Sequence, residues 1–172
     1  MKKTGVVRKI DDLGRIVIPK EIRKNLNVNS GEDLEIYLDE NAIILKKYHK
    51  ILNFQESIKK YINIFNKALS NNIIITDNEK ILITGNECLS IQKEKISKEL
   101  YNILIERKKT QGKKLKLTSS FESENYYVII PLVVNTDLEG SIIYIKDKEI
   151  EIYETQILEI LKSLIINSIE LE

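Results

Sequence analysis

A chain of 172 residues with 42% hydrophobic side chains and a formal charge of only +1 has room for two small domains, and its one cysteine cannot form an internal disulfide. It lacks any apolar run approaching about 18 residues and any signal-like apolar stretch at its start, so a cytoplasmic protein with no membrane partner is expected. His49 and Cys88 lie far apart, and neither a Gly-rich phosphate loop nor a zinc-protease motif occurs, so the reading includes no enzyme, no metal and no cofactor. His49 is expected at the surface between domains, and Cys88 as a small buried hydrophobe.

The N-terminal segment carries the densest information. Val6–Ile10 and Arg15–Ile18 are β-branched-rich runs of strand length, with Asp12, Leu13 and Gly14 between them as a turn. Pro19, with its fixed φ and no N–H, suits the first position of a helix over Lys20–Leu26. Ile22 and Leu26 share one side of that helix, and Lys20, Arg23 and Lys24 share another. Residues 1–24 hold eight Lys or Arg against three Asp or Glu, a local balance of +5 within a nearly neutral chain. Such a concentration suits a phosphate backbone, and arginine adds planar bidentate geometry. Ser30 and Gly31 mark a turn. Leu34, Ile36 and Leu38 then alternate with Glu35 and Tyr37, and Asp39–Asn41 turn the chain into Ala42–Lys47, a hairpin pattern. A unit of about 48 residues is near the lower limit for folding alone, and with no disulfide or metal it points to oligomerisation.

The residue order TGVVRKIDDLGRIVIPKEIRKNL, followed by SGEDLEIYLDENAIILKKY to Tyr48, resembles the AbrB-type swapped-hairpin DNA-binding domain over about the first 50 residues. The resemblance implies two protomers exchanging hairpins to close one β-barrel, double-stranded DNA as the partner, and DNA contacts at Arg8, Arg15, Arg23 and Lys24. Lys9 and Lys20 are secondary candidates. Lys24 stands where that family often has arginine, so a point charge survives there but a bidentate fork does not. For a two-domain chain of this kind, the resemblance further implies an activator and repressor of late, forespore-stage sporulation genes. The alternative is an antitoxin-like or other protein-binding module on the same swapped-hairpin domain.

Beyond Tyr48 the charge balance changes. Residues 1–50 carry eleven basic and eight acidic side chains, and the remaining 122 carry sixteen and eighteen, so a second duplex-binding surface is not expected. Ile51, Phe54, Ile58, Tyr61, Phe65 and Ala68 alternate at spacings of three and four, which reads as a short heptad seam pairing two protomers, or as a helix packed on its own sheet. Strands follow at 72–77 and 81–84, a helix at 91–108, strands at 115–118, 126–134 and 141–146, and a helix at 151–170. This order is similar to GAF-type sensor domains, with a PAS-like sheet as the other topology, and implies helices on one sheet face and a cavity for an unidentified small-molecule effector on the other. The last helix carries Tyr153, Ile157, Leu161, Leu164, Ile165 and Ile169, widened by Leu158, Ile160 and Ile166, a stripe broad enough to cover the sheet and also pair protomers into a tetramer.

The expected class is therefore α+β. It comprises an N-terminal swapped-hairpin β-barrel in residues 1–50, a coiled-coil-like linker helix in 51–70, and a GAF-like domain with a central antiparallel sheet and flanking helices in 71–172. The expected assembly is a homodimer through the first domain.

Overall fold

The computed structural model describes residues 4–26, 28, 30–31, 33–69, 72–85 and 90–171. The chain divides into two units, Met1–Tyr48 and His49–Glu172. Cys88 lies outside the described residues.

In the first unit the expected turn is a three-residue hairpin loop. Gly14 N–H donates to the Asp11 carbonyl at 2.9 Å and Asp11 N–H to the Arg15 carbonyl at 3.0 Å. Gly14 sits at φ 76°, a conformation that glycine adopts without a Cβ penalty. The two arms, read above as strands, join no ladder among the described residues. Their apolar side chains Val7, Ile10, Leu13, Ile16 and Val17 are exposed. Strand propensity was present, but a ladder needs a neighbouring backbone to bond. Helix α1 spans Lys20–Asn25. Pro19 flanks it at ψ 148° instead of opening it, because its backbone is still extended there. Strands β1 (Leu34–Asp39) and β2 (Ala42–Lys47) form the expected antiparallel hairpin, with Asp39 opposite Ala42 across a two-residue loop. Direct pairing of Ile36 with Leu45 and Leu38 with Ile43 gathers the apolar side chains on one face, and Ile36, Leu38 and Ile43 remain exposed there.

The second unit buries its own core. A 3-10 turn (Lys50–Phe54) leads into α2 (Gln55–Ala68), then β3 (Ile73–Thr76), β4 (Ile81–Ile83), α3 (Lys98–Ile105), β5 (Thr110–Lys116), β6 (Glu122–Val134), β7 (Asp137–Lys146) and α4 (Ile152–Glu170). The strands form one antiparallel sheet in the order β4-β3-β7-β6-β5. Ile58, Ile62, Leu158, Leu161 and Ile165 from α2 and α4 pack with Ile75, Val128, Ile130 and Tyr144 on one side. Leu100 and Leu104 from α3 pack with Ile74, Leu115, Ile129 and Ile143 on the other. Helices therefore cover both faces, and the face expected to hold a cavity carries a hydrophobic cluster. A strand buried on both faces loses its alternation, which is why β3 reads Ile-Ile-Ile-Thr with every residue buried.

Two local features depart from the sequence reading, and a third follows the second of the two readings given for it, a helix packed on its own sheet. The heptad residues Ile51 and Ile58 are fully buried in the unit's own core, with Phe54, Tyr61 and Phe65 packed against it, and the first of these belongs to the 3-10 turn and not to the helix. Helix α3 begins at Lys98, seven residues later than expected, because Lys93 takes φ 72° and Lys95 and Ile96 form isolated bridges to Lys80 and Thr118. Ser97 then caps the helix, its Oγ accepting from Leu100 N–H at 2.9 Å. His49 is buried, not exposed. Beside it, Glu139 accepts from Ile51 N–H at 3.4 Å, and burial pushes that carboxyl up while Ile51, His49 and Lys50 pull it back in part.

Close packing also fixes the link between β3 and β7. A Cβ on Gly140 would lie 1.9 Å from the Thr76 carbonyl oxygen, so only glycine fits where β7 passes β3. Asn135 and Thr136, at φ 47° and 74°, make the two-residue turn that joins β6 to β7. At the start of α4, Glu154 accepts from Tyr144 OH at 3.0 Å and from Lys146 Nζ at 2.9 and 3.0 Å, and closes a capping box with Glu151.

Candidate nucleic-acid interface

The hairpin loop at 11–15, its two arms and helix α1 carry the candidate DNA-contacting residues. Arg8 and Lys9 are exposed on the arm that enters the loop, and Arg15 on the arm that leaves it. Arg8 Nη1 donates to the Val7 carbonyl at 3.1 Å, a local bond that a stronger acceptor such as phosphate can replace. On α1, Lys20 and Lys24 are exposed one turn apart, and Arg23 is half-buried beside Ile22. Glu21 in the first turn and Arg23 and Lys24 in the last both suit the helix dipole. The helix end is closed by Leu26 N–H on the Ile22 carbonyl at 3.0 Å and Val28 N–H on Arg23 at 2.9 Å.

Of the six cations, Arg15 makes the most hydrogen bonds among the described residues. Its Nε donates to Asp11 Oδ2 at 2.8 Å, while Asp11 Oδ1 accepts from Arg15 N–H at 2.7 Å and Leu13 N–H at 3.1 Å. The Arg15 side chain is nevertheless 70% exposed. The Arg15 backbone N–H and guanidinium together hold the Asp11 carboxyl below its ordinary range. By sequence alone, Asp11 is one of three acidic residues in the basic segment 1–24. The signal for it was available, because aspartate is favoured at the first position of a turn where its side chain bonds the backbone two residues on.

Three of the tyrosines have partners within the protein. Lys46 lies 4.5 Å from the Tyr37 ring centroid and Lys113 lies 5.0 Å from that of Tyr126. Tyr61 bonds Ser168 between α2 and α4. No group of three or more His, Cys, Asp or Glu among the described residues could hold a metal ion, and no described helix is long and apolar enough to cross a membrane.

Residues 53–165 match the family model for "Stage V sporulation protein T C-terminal, transcription factor". Over 155 residues the chain is 35% identical to the stage V sporulation protein T of Bacillus subtilis (strain 168), covering 86% of this chain and 87% of that one. The chain belongs to the stage V sporulation protein T family. The remaining comparisons fall on the first domain of this family member. Residues 7–53 match the model described as "Antidote-toxin recognition MazE, bacterial antitoxin". Forty-eight residues are 58% identical to the transition state regulatory protein AbrB of the same Bacillus subtilis strain, covering 28% of this chain and 50% of that protein. Among solved structures, the N-domain of the transcription factor abrB is 58% identical over 28% of this chain and 92% of that one, with a TM-score of 0.27. The first unit of this stage V sporulation protein T homologue is thus an AbrB-like domain, followed by a helix and strand unit built on an antiparallel sheet.

Proposed function

We propose that the protein is a DNA-binding transcription regulator of sporulation, acting on late, forespore-stage genes as activator and repressor in the cytoplasm. The observation that carries this reading is that identity to a stage V sporulation protein runs through both units and rises to 58% with AbrB in the segment that concentrates the basic charge.

In this reading Arg8, Arg15, Arg23 and Lys24 contact the duplex, with Lys9 and Lys20 as secondary phosphate contacts. Two copies exchange hairpins to close a β-barrel, which would cover Val7, Ile10, Val17, Leu38 and Ile43, all exposed in one chain. The second unit is regulatory and GAF-like in the order of its elements, although helices cover both faces of its sheet. Its α4 leaves Ile160 and Leu164 exposed beside the buried row Leu158, Leu161 and Ile165, a second apolar line suited to pairing copies into a tetramer. A small-molecule effector would act by binding one helix arrangement better than the other, and a coupling of about 1–3 kcal/mol would change DNA affinity roughly 5- to 150-fold.

The antitoxin-like reading has the description of the 7–53 match in its favour. Against it stands a second unit with a closed hydrophobic core, unlike a short, poorly apolar tail that wraps a partner.

The deciding experiment is duplex-DNA binding by the full chain in a salt series, beside a variant carrying Arg8→Ala, Arg15→Ala and Arg23→Ala. The parent should lose affinity steeply with salt, at a slope of about −0.9 per neutralised phosphate, and the variant should show a shallower slope. A folded variant that binds as tightly as the parent would remove the arginines from DNA and bring the protein-partner reading forward.

A further inference from the structure

We infer that Asp11 is a positioning residue for DNA recognition, acting through Arg15, despite carrying the charge that DNA repels. This rests on the proposed DNA contact of Arg15.

The geometry gives the reason. Five hydrogen bonds hold a five-residue loop, three of them between its ends, Asp11 and Arg15. Two are backbone bonds, Gly14 N–H to the Asp11 carbonyl and Asp11 N–H to the Arg15 carbonyl. The other three all end on one carboxylate, which takes the Leu13 and Arg15 N–H groups on Oδ1 and Arg15 Nε on Oδ2. One side chain thus braces the backbone of the loop and holds the guanidinium at Nε. The bond uses one of the five N–H donors of Arg15, so the donors of the two Nη groups remain for a phosphate or a base edge. A long exposed arginine otherwise samples many rotamers and must be ordered when it binds.

Two effects of Asp11 oppose each other. Its negative charge weakens phosphate attraction, but the surrounding segment is strongly basic and salt screens the exposed carboxylate over about 8–10 Å. Ordering one rotamer-rich side chain in advance corresponds to a factor of roughly 2 to 10 in affinity. The second effect is the larger one when the carboxylate is already bonded to the group it repels DNA from.

The test is a double-mutant cycle on duplex-DNA affinity with the full chain, using Asp11→Ala, Asp11→Asn and Arg15→Ala with each combination, and thermal melting to check folding. Asp11→Ala should weaken binding roughly 2- to 10-fold. Asp11→Asn keeps an oxygen for the two backbone N–H groups but loses the ion pair, and it should weaken binding too. Once Arg15 is alanine the ordering effect is gone, so either change should weaken binding less than it does in the parent, or tighten it slightly by removing a negative charge. Tighter or unchanged binding by Asp11→Ala and Asp11→Asn would show that the residue only repels DNA and would overturn the inference. An equal loss in the Arg15→Ala background would also overturn it, by assigning the effect to loop shape alone. If Arg15→Ala by itself left binding unchanged, the DNA-contact reading of Arg15 would fail and the inference with it, an outcome distinct from the other two.

Discussion

In the second unit, Ile, Leu and Val from α2, α3, α4 and five strands are buried on both faces of one sheet, whereas in residues 4–48 many of the same residue types at strand-like spacing stand in solvent. Val7 is 85% exposed and Leu38 84%, yet Ile142 and Leu161 are fully buried. Hydrophobic periodicity states which side chains share a face, not what covers them. A unit with two strands and a six-residue helix has too little surface of its own to cover an apolar face, and a five-stranded sheet with three helices has enough.

The largest expected effect belongs to the self-sufficient unit. Gly140→Ala would force β3 away from β7, because its Cβ meets the Thr76 carbonyl, and should cost about 3 kcal/mol or more in urea unfolding of that unit. In the first unit, Leu38→Ser places a hydroxyl where one chain has only solvent. On the proposed pairing it should weaken the dimer by roughly 1.5–3 kcal/mol per copy, read as a concentration-dependent fall in melting temperature. Unchanged melting and mass would mean that the exposed face is free and that the first unit needs no partner to cover it. Gly14→Ala has open space around its Cβ but keeps φ 76°, so it should cost only about 1–2 kcal/mol, far less than the same change at Gly140.

The smallest effects are in pH dependence, and two carboxylates of the second unit should respond with opposite sign. Burial first raises Glu139, so its contribution to stability is complete below the ordinary glutamate range and is lost as pH climbs through the raised value. Glu139→Gln should flatten that decline in stability measured by denaturant titration between acid and neutral pH. Burial also pushes Glu154 up, but the Glu151 N–H, Lys146 and the Tyr144 hydroxyl outweigh it and hold the carboxyl low. Its contribution is present above the ordinary glutamate range and lost as pH falls, so Glu154→Gln should destabilise at neutral pH and matter less in acid.

Much of the architecture was legible from residue order alone. The hairpin from Leu34 to Lys47, the turn at Gly14, the element order of the second unit and the length of α4 follow from period, turn chemistry and apolar stripes, all of which act within a few residues. The basic segment was legible for the same reason, since charge is additive along the chain. Other features were set only by contacts between distant residues. Ile51 and Ile58 meet their own sheet, and His49 is buried near Glu139 across 90 positions of sequence. Helix α3 starts late because bridges to Lys80 and Thr118 claim the residues before it. Asp11 belongs between the two classes: its place in a turn was readable, but the bond to Arg15 Nε depends on how the loop closes. Local spacing decides which conformations a segment favours, while burial, register and the direction of a charged side chain depend on neighbours that only the folded chain brings near.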